Sequence, residues 1–384
     1  MPTRAEYSIE AAEPLVHDAA AQEPPQHKLT EYTAMSIRRC HTLCVATVAG
    51  FFLLAALPGA AATGKKVIID TDPGIDDALA ILLALNSPEL DVQALTVVPG
   101  NVPLRQGTEN ALKLVTLTDR CDVPVAAGAE RPLVQKLTTA EFWHGQNGLA
   151  NVELPAPKCK LDARFAPDLI IELVHRQPGQ ITLVPVGPLT NIALAVRKDP
   201  SIVPLVKEVI LMGGSISGGN VTAAAEANIH GDPEAAKIVF GAGWRVAMVG
   251  LDVGNKALVQ RSHLTQLTGG PQSDLAVALL KYIIDRSEEF GFQGTAVYDA
   301  LAVGVTIDRT MVSTQKMLVE VETRGELTRG ETVAYRYNLV DRLEPRDGRD
   351  VVVGMLRVEP NTDVCVDVDA ERFVQLLLSR LRGR

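Results

Sequence analysis

VIIDTDPGIDDALAILLAL, residues 67–85, reads as a buried strand, a tight turn and the start of a helix. The β-branched apolar run predicts the strand, Pro73-Gly74 predicts the turn, and ALAILLAL predicts an apolar helix. A strand that leads directly into a helix opens a βαβ unit and therefore indicates an α/β fold. Four acids lie in or beside the connection: Asp70, Asp72, Asp76 and Asp77.

The same alternation continues along the chain. It predicts a mostly parallel central sheet flanked by helices, a Rossmann-like open α/β sheet, because parallel strands need helical crossovers. Beyond Gln315 we expect a few extra C-terminal strands, with antiparallel pairing among them, and a final helix. The predicted strands are 66–70, 91–98, 180–186, 207–213, 244–253, 317–322, 331–337 and 350–358, and the predicted helices are 77–86, 105–118, 167–176, 189–198, 233–241 and 370–381.

Composition excludes several classes of protein. The 384 residues are 47% hydrophobic, which is enough for a sizeable core and excludes disorder for most of the chain. Lys and Arg number 37 against 46 acids, without a long basic run, so we expect no nucleic-acid partner. Aromatic residues make up only 4%, which argues against a surface that stacks bases of a single strand.

An apolar run near the N-terminus predicts export. Residues 1–37 are polar and mixed in charge, Arg38 and Arg39 follow, and the apolar run 42–57 ends before small residues at 60–62. A basic start, about 7–15 apolar residues and small residues at the end are typical of a secretory signal peptide.

We interpret residues 38–62 as this signal peptide and residues 63–384 as a single catalytic domain, exported to the periplasm or the extracellular space. Met35 is the expected start, so the polar extension 1–37 is largely untranslated. The alternative is an uncleaved signal that anchors the protein to a membrane.

The five cysteines predict neither a disulfide framework nor a metal site. Cys40 and Cys44 fall in the signal segment, which leaves the odd number Cys121, Cys159 and Cys365. One bridge among these three remains open.

The acidic loop after the first strand predicts a metal site. Carboxylates this close repel one another unless a cation or protons neutralise them. Oxygen ligands without a nearby His or Cys favour Ca²⁺ or Mg²⁺. The alternative, acids that only decorate a helix N-terminus, accounts for Asp76 and Asp77 but not for Asp70 and Asp72.

Other polar residues follow the predicted strands, at the edge where such sheets bind ligands. The alternative for the Asn and Glu residues is that they are solvated turn residues. FWHGQNGL, 142–149, is interpreted as a surface insertion in which His144 would ordinarily be exposed. Asp299, at the start of an apolar helix, is either a helix cap or a distant metal ligand. The strand-end candidates are Asn101, the Val186 carbonyl, Asn220, Glu226 and Asn228.

Seven ordered motifs resemble the inosine–uridine-preferring nucleoside hydrolases. The resemblance covers roughly residues 66–310, and more loosely the remainder. Its motifs are VIIDTDPGIDDALAILLAL, VVPGN, HGQNGL, ITLVPVGPLTN, VILMGGSISGGNVTAAAEANIHGDPEAA, MVGLDV and YDALAV.

This resemblance implies an enzyme that hydrolyses the N-glycosidic bond of a small-molecule ribonucleoside, with Ca²⁺ as cofactor. The implied general base is Asp72, which deprotonates a Ca²⁺-bound water, and His144 matches a histidine near the base pocket. The implied calcium ligands are Asp72, Asp77, the Val186 carbonyl and Asp299. The implied ribose-binding set is Asp76, Asn101, Met212, Asn220, Glu226 and Asn228.

Two positions depart from the family's pattern. Tyr298 stands where many members have a histidine that protonates the leaving base, and a phenol with a pKa of about 10 donates a proton less readily. Ala227 stands where an aromatic residue is common. Tyr298 therefore either donates a proton, stacks on the base or does neither, and the nucleobase preference stays open.

Two other functions remain as alternatives. One is hydrolysis of a different ribosyl substrate such as nicotinamide riboside, and the other is calcium-dependent ribosyl binding with little turnover. For the assembly we expect a homodimer or a homotetramer.

Overall fold

The computed structural model describes residues 64–382. The predicted extension and signal peptide, residues 1–62, lie outside the described residues. Within 64–382, no helix is both long and apolar enough to cross a bilayer.

A ten-stranded sheet organises the chain. The strands are β1 Lys65–Thr71, β2 Leu90–Val97, β3 Val125–Ala127, β4 Leu161–Asp162, β5 Thr182–Pro185, β6 Glu208–Met212, β7 Val246–Val249, β8 Leu258–Val259, β9 Thr295–Ala296, β10 Val312–Val321, β11 Thr332–Tyr335, β12 Leu339–Arg346, β13 Arg349–Arg357 and β14 Thr362–Val368. The order in the main sheet is β11-β10-β14-β7-β6-β5-β1-β2-β3-β4, and β8–β9 and β12–β13 form two small sheets.

The predicted parallel sheet is confirmed. Every pairing from β14 through β7, β6, β5, β1, β2 and β3 to β4 is parallel, whereas β10 pairs antiparallel with both β11 and β14. The helices are α1 Ile75–Leu85, α2 Leu104–Leu117, α3 Glu141–His144, α4 Ala166–Arg176, α5 Thr190–Lys198, α6 Ala227–Gly231, α7 Pro233–Phe240, α8 Leu251–Gly254, α9 Pro271–Glu289, α10 Tyr298–Ile307 and α11 Ala370–Leu381.

Helices cover both faces of the sheet. In β1, Val67 and Ile69 pack into a core with α1, α2, α9, α10 and α11, whereas Ile68 packs into a second core with α4, α5 and α7. Because β1 is buried on both faces, it reads as a continuous apolar run, as parallel strands do.

One predicted strand, 244–253, is too long. The strand ends at Val249, and Leu251–Gly254 form one helical turn instead. The Leu251 amide donates to the Gly214 carbonyl at 3.0 Å, and the Asp252 carboxylate accepts from the Ile216 amide at 2.9 Å. These contacts with a distant loop stabilise the helical turn, although the apolar sequence that predicted a strand continues through it.

Several elements were not predicted from the sequence. The short strands β3 and β4 offer too few residues for a periodicity, and the polar strand β12 carries no apolar run. The 19-residue helix α9 and the strand β14 were also missed, although both contribute buried side chains to the cores.

A disulfide joins Cys121 to Cys159, which lie 38 residues apart. The sequence allowed one bridge among Cys121, Cys159 and Cys365 without indicating the pair, and the structure forms it between the first two. Cys365 is free and buried on β14.

Two glycines at strand ends make room for the Asp72 carboxylate. A Cβ at Gly100, after β2, would lie 2.1 Å from Asp72 Oδ2, and a Cβ at Gly187, after β5, would lie 2.4 Å from Asp72 Oδ1. The Asp72 carboxylate therefore lies directly against the backbone at Gly100 and at Gly187, in space that any larger side chain would occupy.

We expect Gly187→Ala to lower the free energy of unfolding by about 1–3 kcal/mol, because its methyl group overpacks the buried Asp72 carboxylate. Urea denaturation measures this difference. Gly354→Ala is the matched control, since nothing lies within 4 Å of a Cβ at Gly354. Equal stability of Gly187→Ala and the wild type would contradict the close approach.

Candidate active site and metal centre

The carboxylate of Asp77 holds the first βα turn together. Its Oδ1 accepts from the Thr71 hydroxyl at 2.5 Å and from the Asp72 amide at 3.1 Å. Its Oδ2 accepts from the Gly74 amide at 3.0 Å and from Asn101 Nδ2 at 2.8 Å. A buried carboxylate at a helix N-terminus is stabilised by donors of this kind.

The Asp72 carboxylate has one paired oxygen and one unpaired oxygen. Oδ2 accepts from the Asn101 amide at 2.7 Å, whereas the buried Oδ1 has no hydrogen-bond partner. Burial, and then repulsion by Asp77, raise the pKa of Asp72 well above its usual range. A buried acceptor without a partner is costly, and a cation bound beside this oxygen would pair it.

Three further carboxylates surround this point. Oxygens of Asp76, Asp77 and Asp299 all lie within 4.8 Å of one another. Burial raises the pKa of Asp76 to about 6, and burial followed by repulsion from Asp76 raises the pKa of Asp77 and of Asp299. Asp299, at the start of α10, is thus brought to the acidic loop from more than 200 residues away, as the resemblance implies.

Asp70 does not belong to this cluster. Its Oδ1 accepts from the Thr96 hydroxyl at 2.6 Å and from Asn191 Nδ2 at 2.9 Å. Burial raises the pKa of Asp70 to about 7, and no neighbouring carboxylate contributes to the shift. Asp70, one of the four acids that suggested a metal site, is therefore held by residues of β2 and α5.

The carbonyl of Val186 lies beside the Asn228 side chain. Asn228 Nδ2 donates to this carbonyl at 2.8 Å and contacts the Met212 carbonyl at 3.3 Å. A carbonyl has two lone pairs, so the bond from Asn228 leaves one for another ligand. The ends of β5 and β6 are thus joined at the predicted site.

Glu226 and Asn220 stabilise their own loop. The buried Glu226 carboxylate accepts from the amides of Gly214, Asn228 and Ile229 and caps α6. The exposed Asn220 accepts from the Ala227 amide at 3.0 Å. The structure brings Glu226 to the edge of the site but shows no contact between the Asn220 side chain and the acidic cluster.

His144 is not exposed, contrary to the expectation for a loop histidine. It ends α3, its side chain is 13% exposed, and Nδ1 accepts from the Ile75 amide at 3.0 Å. Burial lowers the pKa of His144 to about 4, so the ring is neutral near pH 7. With Nδ1 as an acceptor, the ring proton lies on Nε2, where it is available as a donor.

Tyr298 is held by a residue that the sequence did not single out. Its hydroxyl donates to Asn255 Oδ1 at 2.7 Å, and its ring lies against Gly254, where a Cβ would come within 2.3 Å. Burial and then repulsion by Asp76 raise the pKa of Tyr298. The phenol is therefore an even weaker acid than a free tyrosine.

Three supporting residues were missed from the sequence: Thr71, Asn191 and Asn255. Thr71 and Asn191 both lie inside motifs that carry the resemblance, so the sequence could have indicated them as residues of the site. Asn255 follows α8 outside any motif, and only the fold places it against Tyr298.

The donor set fits a hard divalent cation. Carboxylate and carbonyl oxygens dominate it, and the nearby imidazole already accepts a hydrogen bond through Nδ1. Mutual repulsion of the carboxylates and the unpaired Asp72 Oδ1 would both be relieved by such an ion.

Comparison with known sequences identifies the family. The model described as inosine-uridine preferring nucleoside hydrolase matches residues 67–375. The inosine-uridine preferring nucleoside hydrolase of Crithidia fasciculata is 42% identical over 323 residues, which cover 83% of this chain and 97% of that protein. The pyrimidine-specific ribonucleoside hydrolase RihA of Salmonella arizonae is 38% identical, with coverage of 82% and 98%.

Solved structures agree with this result. A plant nucleoside hydrolase is 37% identical with a TM-score of 0.76, covering 83% of this chain and 99% of that one. A purine-preferring ribonucleoside hydrolase from Gardnerella vaginalis is 34% identical with a TM-score of 0.75, covering 83% and 98%. The predicted fold and the resemblance are both confirmed, and the chain belongs to the inosine-uridine preferring nucleoside hydrolase family, as an enzyme that hydrolyses ribonucleosides.

Proposed function

We propose that this nucleoside hydrolase activates its attacking water at Asp72, in a site that holds Ca²⁺. The observation that carries the proposal is the buried, unpaired Asp72 Oδ1 beside three other carboxylates. The residues proposed to hold the ion are Asp72, Asp77, Asp299 and the Val186 carbonyl.

Ca²⁺ is favoured because the site is built from hard oxygen donors supplied by several loops, which suits its high and flexible coordination number. A divalent cation bound there would lower the pKa of a water molecule and neutralise part of the carboxylate charge.

The reaction follows from the chain's own residues. The Asp72 carboxylate accepts a proton from water as the water oxygen forms a bond to C1′ of the ribose. The N-glycosidic bond breaks, its electron pair leaves with the base, and the base takes up a proton. Carboxylates around the sugar stabilise the positive charge that develops on the ring.

The sugar is proposed to lie against partly exposed polar groups. Asp76, whose side chain is 19% exposed, offers acceptors for ribose hydroxyls, and neutral His144 offers an Nε2 donor. Asn101, Met212, Asn220, Glu226 and Asn228 remain the proposed ribose-binding set. A hydroxyl missing from the substrate would leave such groups unpaired, which makes sugar recognition stringent.

We assign Tyr298 to contact with the base rather than to its protonation. Its hydroxyl already donates a hydrogen bond to Asn255 Oδ1, and its raised pKa disfavours transfer of the proton to a leaving group near pH 7. His144 is also a poor acid there, because it is already neutral. The proton for the departing base is therefore proposed to come from solvent.

Export is also proposed, and it is supported by the signal-like segment 38–62 and by the Cys121–Cys159 disulfide. Disulfides form and persist mainly in oxidising compartments outside the cytosol.

We expect Asp72→Ala to reduce the release of free ribose from purine and pyrimidine nucleosides by roughly 10³-fold, since a general base contributes about 10²–10⁴-fold. Its melting temperature in EGTA should not fall, because the mutation removes a buried carboxylate that its neighbours repel. Asp91→Ala, at an exposed position, is the control. Wild-type turnover of Asp72→Ala would refute its role.

Removal of the metal should stop turnover. We expect EGTA to reduce ribose release to background and excess Ca²⁺ to restore it, because the carboxylate cluster needs a cation to bind substrate productively. EGTA already saturated with Ca²⁺ serves as the control. Full activity in EGTA would show that the metal assignment is incorrect.

N-terminal sequencing of exported protein tests the localisation. We expect the mature chain to begin near Thr63, because cleavage follows the small residues 60–62. Cytosolic protein from a strain blocked in export is the control and should keep its signal. Exported protein that still begins at Met1 or Met35 would favour a membrane anchor.

A further inference from the structure

The helix α2 carries a buried amide that joins the acidic turn to the segment that bears His144. Asn110, in the middle of α2, is 1% exposed and lies outside the motifs that carry the family resemblance. Its Nδ2 donates to the Pro73 carbonyl at 3.0 Å and to the Asn147 carbonyl at 2.8 Å. An amide nitrogen has two hydrogens, so Asn110 uses one on each segment.

On the side of the acidic turn, Asn110 orients the peptide group that binds Asp77. The carbonyl of this peptide group belongs to Pro73 and accepts from Asn110. Its amide belongs to Gly74 and donates to Asp77 Oδ2 at 3.0 Å. Because a peptide group is planar, fixing the carbonyl also fixes the direction of the N–H. Asn110 is therefore one peptide group away from a proposed metal ligand.

On the other side, Asn110 binds a loop that is closed by its own hydrogen bonds. The Asn147 side chain accepts from the Leu149 amide at 2.9 Å and from the Asn151 amide at 3.0 Å. The loop follows directly after His144, and its Asn147 carbonyl is attached to α2 by the bond from Asn110. A loop that is braced internally transmits the position of this attachment to its ends.

The His144 ring spans the same two segments. It belongs to the segment that the loop continues, and its Nδ1 accepts from the Ile75 amide of the acidic turn at 3.0 Å. The direction of Nε2 therefore depends on the separation between loop and turn. Asn110 binds both with a single planar group, which sets that separation.

The contact is too close for any side chain to enter it. A Cβ at Gly148 would lie 3.0 Å from Asn110 Nδ2 and 3.0 Å from the Pro73 carbonyl oxygen. Loop, turn and helix thus meet at one point, and Asn110 supplies the donors there. Without this amide, two buried carbonyls would lose a hydrogen-bond partner.

We propose that Asn110 is a positioning residue for nucleoside hydrolysis, which keeps the His144 ring aligned with the acidic turn so that Nε2 meets the bound nucleoside. The inference rests on the proposed function, because it uses the contact between His144 and the substrate. Asp77 has four hydrogen-bond donors of its own. The effect of losing Asn110 is therefore expected at His144 and not at the carboxylates.

The test is steady-state hydrolysis of inosine or uridine, whichever the wild type hydrolyses faster, by Ca²⁺-saturated protein. The variants are Asn110→Ala, His144→Ala and the double variant Asn110→Ala/His144→Ala. We expect Asn110→Ala to raise KM about tenfold, as loss of one hydrogen bond to the substrate would, with kcat changed less than about threefold. The double variant should show no further rise over His144→Ala, because residues that act as a unit are not additive.

Two control variants on α2 separate positioning from stability. Gln106→Ala removes the bond that Gln106 Nε2 donates to Asn110 Oδ1 at 3.0 Å and leaves both bonds from Asn110 Nδ2, so its KM should equal that of the wild type. Val115→Ala creates a cavity in the core and lowers stability away from the contact, and its KM should also be unchanged. Circular dichroism confirms that each variant is folded at the assay temperature.

Several outcomes would overturn the inference. A wild-type KM in Asn110→Ala does so, and so does an equal effect of this substitution with and without His144. A loss of kcat alone would place the effect at the carboxylates, and a raised KM in Val115→Ala would attribute it to stability. Failure of the proposed water activation would appear instead in Asp72→Ala and in EGTA, with the coupling between Asn110 and His144 intact.

Discussion

The confinement of four carboxylates beside the first βα turn is the constraint on which this structure depends. Asp72, Asp76, Asp77 and Asp299 are brought together where burial and mutual repulsion oppose ionisation, and their pKa values rise accordingly. Four hydrogen bonds satisfy Asp77, whereas Asp72 keeps one oxygen unpaired. A cation bound among these carboxylates would relieve the repulsion, and perturbed groups clustered in this way are typical of functional sites.

Tyr298 and His144, the two ring side chains of the candidate site, differ in the hydrogen bonds that they can still make. The Tyr298 hydroxyl donates its hydrogen bond to Asn255 Oδ1, so toward other groups its oxygen is left as an acceptor. His144 accepts through Nδ1 and keeps a donor on Nε2. A base that both donates and accepts hydrogen bonds would find partners in this pair, and neither group has the acidity that a dedicated proton donor needs.

The candidate site and the C-terminal hairpin β12–β13 are built by different kinds of element. Parallel strands buried on both faces position the acids, because their carboxyl ends and the following glycines converge at one edge. The hairpin β12–β13, in contrast, is antiparallel, forms a small sheet of its own and keeps several apolar side chains exposed.

The sequence by itself determined the class of fold and the strand–turn–helix at residues 67–85, because apolar periodicity and turn chemistry are local properties. The roles of most candidate residues came from the resemblance to the family and stay predictions. The sequence did not reveal that Asp70 turns away to Thr96 and Asn191, or that Asn255 holds Tyr298. Nor did it show that 251–254 is helical, which follows from bonds to a loop some 35 residues earlier. These features were decided only by the tertiary structure, since each depends on contacts between segments that are distant in the chain.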